Sequence, residues 1–294
     1  NKKIKYNPKY HLNEQKDLSL GKNFYQKFRY GLIKRHYYYL SSRSRVLPNF
    51  IIIGTVRSGT TSLYYNICKH KSILPAAYDE IGFFDSNYNL GTDWYRSMFP
   101  TQKHMRTIEI STGNSITGED TPFYFWKEEV ADRIKKLLPE TKLIGIFRNP
   151  VDRAYSNYNL SVRMNVEKLT FEDAINEEIE YLENFSRREC TDRMRSYLSK
   201  GFYDEQMKIW LDKFPKKQIH ILSTEDMRDN PQKTLQDIFR FLQVSDYEIE
   251  NPENQKAAEY DEMNDDIREK LLRLYKPHNE KFFQIINHRF NWNN

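Results

Sequence analysis

Short apolar runs bounded by Gly or Pro alternate along the chain with longer stretches in which apolar residues recur every three or four positions. Phe50-Ile51-Ile52-Ile53, between Pro48 and Gly54, predicts a buried strand. Gly54–Gly59 reads as a loop, and Thr60 to about Lys71 as a helix. A helix from Glu128 to Leu138 leads into a second strand, Lys142–Phe147. Asn149-Pro150 ends that strand, and Pro150 suits the first turn of the next helix. A long helix is expected over Ser196–Phe214, a third strand over Ile219–Leu222, and a helix over Pro231–Leu242. Glu262–Phe290 reads as mostly helical, interrupted at Pro277. Residues 167–192 carry nine acidic against three basic residues and are expected as a solvated helix with loops. No internal repeat or low-complexity segment is visible. Strands alternating with helices predict an α/β fold: a central parallel sheet flanked by helices, in three layers.

The 294 residues are read as a basic, partly helical arm over 1–47 and a single domain over 48–294. Net charge is +5, but the first 50 residues hold twelve Lys/Arg against Glu14 and Asp17 alone. In that arm Phe24, Phe28, Leu32 and Tyr39 recur at helix-like intervals. Its charge suits a membrane surface, an acidic glycan or the mildly acidic body itself, or simply keeps the chain soluble. No nucleic-acid partner is expected. The longest clean apolar run, Phe50–Ile53, is far short of a membrane span. With only Cys68 and Cys190, a disulfide scaffold is excluded. The seven His lack ligand spacing, so no metal site is expected. The chain begins at Asn1, which leaves room for an upstream signal or anchor. The expected location is cytoplasmic or at the membrane periphery, or a Golgi-type lumen if an anchor has been removed.

The chemistry concentrates in Gly54-Thr55-Val56-Arg57-Ser58-Gly59-Thr60-Thr61-Ser62. Strand, glycine loop and helix N-terminus together aim backbone N–H groups at one point, which makes an anion site. The two glycines have the spacing of GxxxxGK[ST], hence a P-loop-like fold, but Thr60 stands where that motif has Lys. The cation here is Arg57, and the second strand ends in Arg148 rather than in an Asp suited to Mg²⁺. Arg148 leaves that strand tip, and Ser156 lies about two turns into the following helix. A guanidinium and a hydroxyl there suit a second phosphate. The blander reading makes Asp152 and Arg153 a surface pair and the loop an ordinary corner.

On these residues the chain resembles the sulfotransferases that use 3′-phosphoadenosine 5′-phosphosulfate (PAPS), in particular the glycan (heparan sulfate-type) and prokaryotic carbohydrate branch. Gly54–Ser62 resembles the 5′-phosphosulfate loop, and Arg148 with Ser156 the 3′-phosphate clamp. Asp79-Glu80-Ile81-Gly82-Phe83-Phe84-Asp85, Gly118-Glu119-Asp120-Thr121-Pro122-Phe123-Tyr124, Lys200-Gly201-Phe202-Tyr203 and Tyr260-Asp261-Glu262-Met263 resemble further family segments in the right order. The family's loop usually has Lys at the place of Arg57. The glycan branch often has Lys or Asn, His and Lys where this chain has Asp79, Gly82 and Asp120.

The resemblance implies PAPS as donor, 3′,5′-phosphoadenosine (PAP) as product, no metal, and a sugar hydroxyl as acceptor. It implies nucleotide contacts by Arg57, Ser58, Gly59, Thr60, Thr61, Ser62, Arg148, Ser156 and Lys256. It casts Glu80 as general base and Arg57 as a stabiliser of the leaving charge. Phe83 and Phe84 are read as core, Cys68 as a small buried residue, and Glu119 as a structural partner of Arg57 or Arg148. The competing functions are a P-loop kinase or NTPase with a degenerate motif, and a non-catalytic polyanion-binding protein on the same fold.

Overall fold

The computed structural model describes residues 38–184, 196–252 and 261–292. Five strands, β1 (Phe50–Gly54), β2 (Ile73–Pro75), β3 (Ile116–Asp120), β4 (Lys142–Phe147) and β5 (Ile219–Ser223), form one parallel sheet in the order β2-β3-β1-β4-β5. The longer helices are α1 (Thr60–Ile67), α2 (Thr92–Arg96), α3 (Gln102–Thr112), α4 (Glu128–Leu137), α5 (Pro150–Arg163), α6 (Phe171–Asn184), α7 (Tyr203–Lys213), α8 (Thr224–Asp229), α9 (Pro231–Leu242) and α10 (Asp265–Ile286). The parallel α/β architecture and the strands at β1, β4 and β5 agree with the sequence reading. The edge pair β2 and β3 was not foreseen. β2 is only three residues long, and β3 carries Thr, Gly, Glu and Asp in place of an apolar run.

The sheet is covered on both faces. On one face Ile51, Ile53, Leu143 and Phe147 pack with Phe83, Phe84, Tyr95, Tyr124, Trp210 and Trp292. On the other, Phe50, Ile52, Ile144 and Ile146 pack with Leu63, Ile67, Leu235 and Phe239. Alternate residues of β1 thus feed opposite layers, as the two-residue repeat of a strand requires. Phe83 and Phe84 are core residues, 1% and 0% exposed. Cys68 is half-buried at the edge of the second layer.

Two helix expectations need correction. The helix foreseen from Ser196 begins only at Tyr203, after a turn over Ser199–Gly201. Tyr275 lies against Gly201, where a Cβ would sit 2.6 Å from its hydroxyl, so the close approach fixes a glycine in this turn. The C-terminal helix is not interrupted: α10 runs through Pro277. Pro277 and Arg273, whose carbonyl loses its helical partner there, both lie on the exposed face of the helix. The acidic stretch does form a helix, α6, but Glu178 is buried within it and accepts from the amides of Leu198 and Ser199 at 2.7 and 2.9 Å.

Among the described residues no helix is long and apolar enough to cross a membrane. Most of the basic arm lies outside the described residues. At its end, the Val46 amide donates to the Pro100 carbonyl at 3.1 Å and the Arg45 guanidinium to that of Phe99 at 2.6 Å.

Candidate active site

From β1 the chain leads to β2 and β3 on one side, and from β4 it leads to β5 on the other. The carboxyl ends of β1 and β4 therefore flank a topological switch point, where the connections diverge and leave a crevice. Both sequence-predicted phosphate segments begin there.

After β1, the loop turns through Arg57 at φ 66° and Gly59 at φ 89° before α1 starts. Gly59 supplies the left-handed conformation without a steric penalty, and a Cβ built on it meets nothing within 4 Å, so the loop mouth is open. The first intrahelical bond of α1 runs from the Leu63 amide to the Gly59 carbonyl at 3.0 Å. The amides of Thr60, Thr61 and Ser62 precede it at the positive end of the helix dipole, and the N-cap residue, Gly59, has no side chain to cap them. Ser58 is engaged within the loop itself. Its hydroxyl sits 2.6 Å from that of Thr55, its amide donates to the Thr55 carbonyl at 3.2 Å, and it is fully buried. Its polar groups hold the loop's shape. The Thr224 hydroxyl is shared between the carbonyls of Ser58 and Phe147, tying the loop to the end of β4.

The two predicted phosphate segments meet. Arg57 Nε donates to Ser156 Oγ at 3.2 Å, and Arg148 Nη1 approaches the Arg57 carbonyl at 3.5 Å. The Arg148 carbonyl accepts from Tyr203 at 3.0 Å. The adjacent Asn149 caps α5 by accepting from the Val151 amide, and its Nδ2 donates to the Trp292 carbonyl at 3.0 Å. Asp152 and Arg153 are not a surface pair. Asp152 pairs with Arg268 at 2.7 Å, whereas Arg153 is 0% exposed and donates to the Tyr197 carbonyl. Lys256 lies outside the described residues.

Glu80 stands at the same edge of the sheet, beyond the end of β3. Its backbone is left-handed, φ 48°, as is that of Gly82, φ 60°. A non-glycine residue held there stores strain, a common feature of working sites. The following turn is fixed by two hydroxyls: the Gly82 amide donates to Thr121 Oγ1 and the Phe84 amide to the Tyr124 hydroxyl, each at 3.2 Å. The Thr121 amide in turn donates to the Ile52 carbonyl at 3.0 Å, anchoring this corner to β1. Asp79 accepts from the hydroxyl of Tyr65 on α1 at 3.0 Å.

Two carboxylates of β3 frame this turn. Glu119 does not partner Arg57 or Arg148. It accepts from the hydroxyls of Tyr95, Thr121 and Tyr124 at 2.5, 2.9 and 3.4 Å. Burial raises its carboxyl to about 7 against the pull of those donors, with Asp85 adding repulsion. Asp120 is 1% exposed, and no side chain donates to it; the Glu80 backbone amide is the donor that faces it. Burial first, then the negative charges of Asp79, Glu80 and Glu119, raise its carboxyl well above the ordinary range. The hub at Glu119 and the link through Thr224 were not foreseen. The Gly-Glu-Asp-Thr-Pro string marks the hub's place, but nothing in the string says which face of the sheet each carboxylate takes.

The family model for the sulfotransferase domain matches residues 47–284. The membrane-associated sulfotransferase kil1 of Dictyostelium discoideum is 28% identical, the match covering 84% of this chain and 67% of that protein. Human heparan sulfate glucosamine 3-O-sulfotransferase 3B1 is also 28% identical, over 87% of this chain and 67% of that protein. Human bifunctional heparan sulfate N-deacetylase/N-sulfotransferase 3 is 31% identical over 67% of this chain, which spans 22% of its length. The crystal structure of a sulfotransferase from Alicyclobacillus acidocaldarius superposes with a TM-score of 0.66 at 26% identity, covering 85% of this chain and all of that one.

Proposed function

Because this chain belongs to the sulfotransferase family, we propose that it moves the sulfuryl group of PAPS to a hydroxyl of a carbohydrate acceptor, by in-line displacement with Glu80 as general base. The observation that carries this reading is the Arg57–Ser156 contact at the switch point. It joins a guanidinium and a hydroxyl beside the glycine-capped N-terminus of α1, a donor set suited to a nucleotide with two separate phosphates. Relatives named for heparan sulfate support the carbohydrate acceptor.

In this reading Arg148 and Ser156 hold the 3′-phosphate, and Lys256 adds a cation. The amides of Gly59, Thr60, Thr61 and Ser62 cradle the 5′-phosphosulfate, while Ser58 shapes the loop. The acceptor oxygen bonds to sulfur as the bond from sulfur to the bridging 5′-phosphate oxygen breaks. The electron pair stays on that oxygen, and Glu80 takes the acceptor's proton. Arg57 and the helix amides meet the charge on the leaving phosphate. Each such preorganised donor is worth about 3 kcal/mol. The fixed base contributes ~10²–10⁴-fold. For the basic arm, a membrane-associated relative supports contact with a membrane surface.

The test is calorimetric titration with PAP, followed by labelled-sulfate transfer from PAPS to a panel of glycans. PAP binding and transfer to at least one glycan are expected. Binding of ATP with Mg²⁺ in place of PAP would instead make the chain a nucleotide triphosphate enzyme. PAP binding without transfer to any sugar or other alcohol would leave a binding protein.

A further inference from the structure

We propose that Glu119 is a positioning residue for the Glu80 turn, acting through the hydroxyls of Thr121 and Tyr124. The proposal rests on the reading of Glu80 as general base. Glu119 itself is fully buried and belongs to the apolar layer beneath the site, so it touches neither nucleotide nor acceptor. Its influence travels through two hydroxyls that each do two things. Thr121 Oγ1 donates to Glu119 Oε2 at 2.9 Å and accepts the Gly82 amide at 3.2 Å. The Tyr124 hydroxyl donates to Glu119 Oε1 at 3.4 Å and accepts the Phe84 amide at 3.2 Å. Gly82 and Phe84 lie two and four residues beyond Glu80, in the turn that Glu80 opens at φ 48°.

The direction of these bonds depends on Glu119. A hydroxyl has one proton to give and lone pairs to accept with. In its ionised form Glu119 only accepts, so both hydroxyls then point their protons at it and turn their lone pairs to the two backbone amides. The Tyr95 hydroxyl, at 2.5 Å, is a third donor into the same carboxylate. A neutral amide at this place has one donor end. Whichever hydroxyl faces that end must reverse, and its proton then competes with the backbone amide it should accept. A displacement of the base by as little as ~1 Å can cost about a hundredfold in rate.

Glu119→Gln tests the polarity of the hub, and Tyr124→Phe cuts one relay while leaving the ring in the core. Each is expected to lower kcat about 10- to 100-fold, with PAP affinity and the KM for PAPS unchanged. Combined with Glu80→Gln, neither should lower the residual rate further, because both act through Glu80. Unimpaired kcat in both single variants, or a multiplicative loss in the Glu80→Gln background, would overturn the proposal. Thermal unfolding identifies a variant that fails to fold, and Tyr124→Phe then carries the test. A Glu80→Gln protein that keeps its rate removes the base reading, and this proposal with it. An inactive Glu80→Gln protein beside fully active Glu119→Gln and Tyr124→Phe removes this proposal alone.

Discussion

The Arg57 guanidinium donates to the Ser156 hydroxyl across 3.2 Å, joining a loop after β1 to the second turn of α5, 99 residues further along the chain. Arg148, which leaves β4 between them, reaches back to the Arg57 carbonyl. The expected phosphate ligands thus hold one another in place. Arg148→Ala is expected to weaken PAP binding about 10- to 100-fold, as loss of a charge-assisted hydrogen bond does. Ser156→Ala should weaken it less, because a neutral hydroxyl is worth about 1 kcal/mol. Calorimetry on the two variants checks the order, and unchanged affinity for Arg148→Ala would remove the clamp.

Glu80→Gln is expected to keep PAP affinity and to lose at least about a hundredfold in transfer rate. The amide keeps the size of the side chain but cannot take the acceptor's proton. Single-turnover transfer from PAPS measures the chemical step directly, and a rate within a few-fold of the parent would assign the base elsewhere.

Which parts of this were legible beforehand follows from what a sequence encodes locally. The strand-to-helix turns at the site were readable because β1 and β4 are short, largely apolar runs followed by the glycine loop to Gly59 and by Arg148. Arg57, Arg148 and Ser156 could be paired because each segment carries its own strand-to-helix signature. The hub at Glu119 could not be assigned correctly. β3 is polar yet buried, and its pattern does not say that Glu119 faces Tyr95 and Tyr124 while no side chain donates to Asp120. The uninterrupted α10 was missed for the opposite reason: local propensity breaks a helix at Pro277, but burial of Tyr275, Asn279, Phe282 and Phe283 on its inner face holds it together.

Asp120→Asn is expected to stabilise the fold at neutral pH. The carboxyl is raised by burial and by its acidic neighbours, so the folded protein keeps a proton that the unfolded chain releases above the ordinary value of 3.8. Stability therefore falls as pH rises from that value towards the folded one. Asn carries no such linkage. The variant's advantage should be near zero at the acid end of the range and grow as pH rises towards 7. Denaturant unfolding from pH 4 to 8 measures it, and a difference independent of pH would contradict the assignment.

Trp292 couples the last described turn of the chain to the phosphate crevice. Its carbonyl accepts from Asn149 at 3.0 Å, and its indole N–H donates to Glu225 at 3.3 Å. Its ring lies nearly parallel to that of Phe282, with centroids 6.0 Å apart, and the residue is 1% exposed. Trp292→Ala removes this packing from the layer under β4, and such truncations cost about 3–5 kcal/mol. It also loosens the C-terminal turn whose main-chain carbonyl tethers the Asn149 cap, directly beside Arg148. Both a lower Tm and a several-fold weaker affinity for PAP are expected. Trp292→Phe should recover most of the stability, because the ring stack survives while only the bond to Glu225 is lost. If Trp292→Ala lowers Tm yet leaves PAP affinity unchanged at a temperature where the fold is intact, the C-terminal turn supports the core without helping to place the clamp.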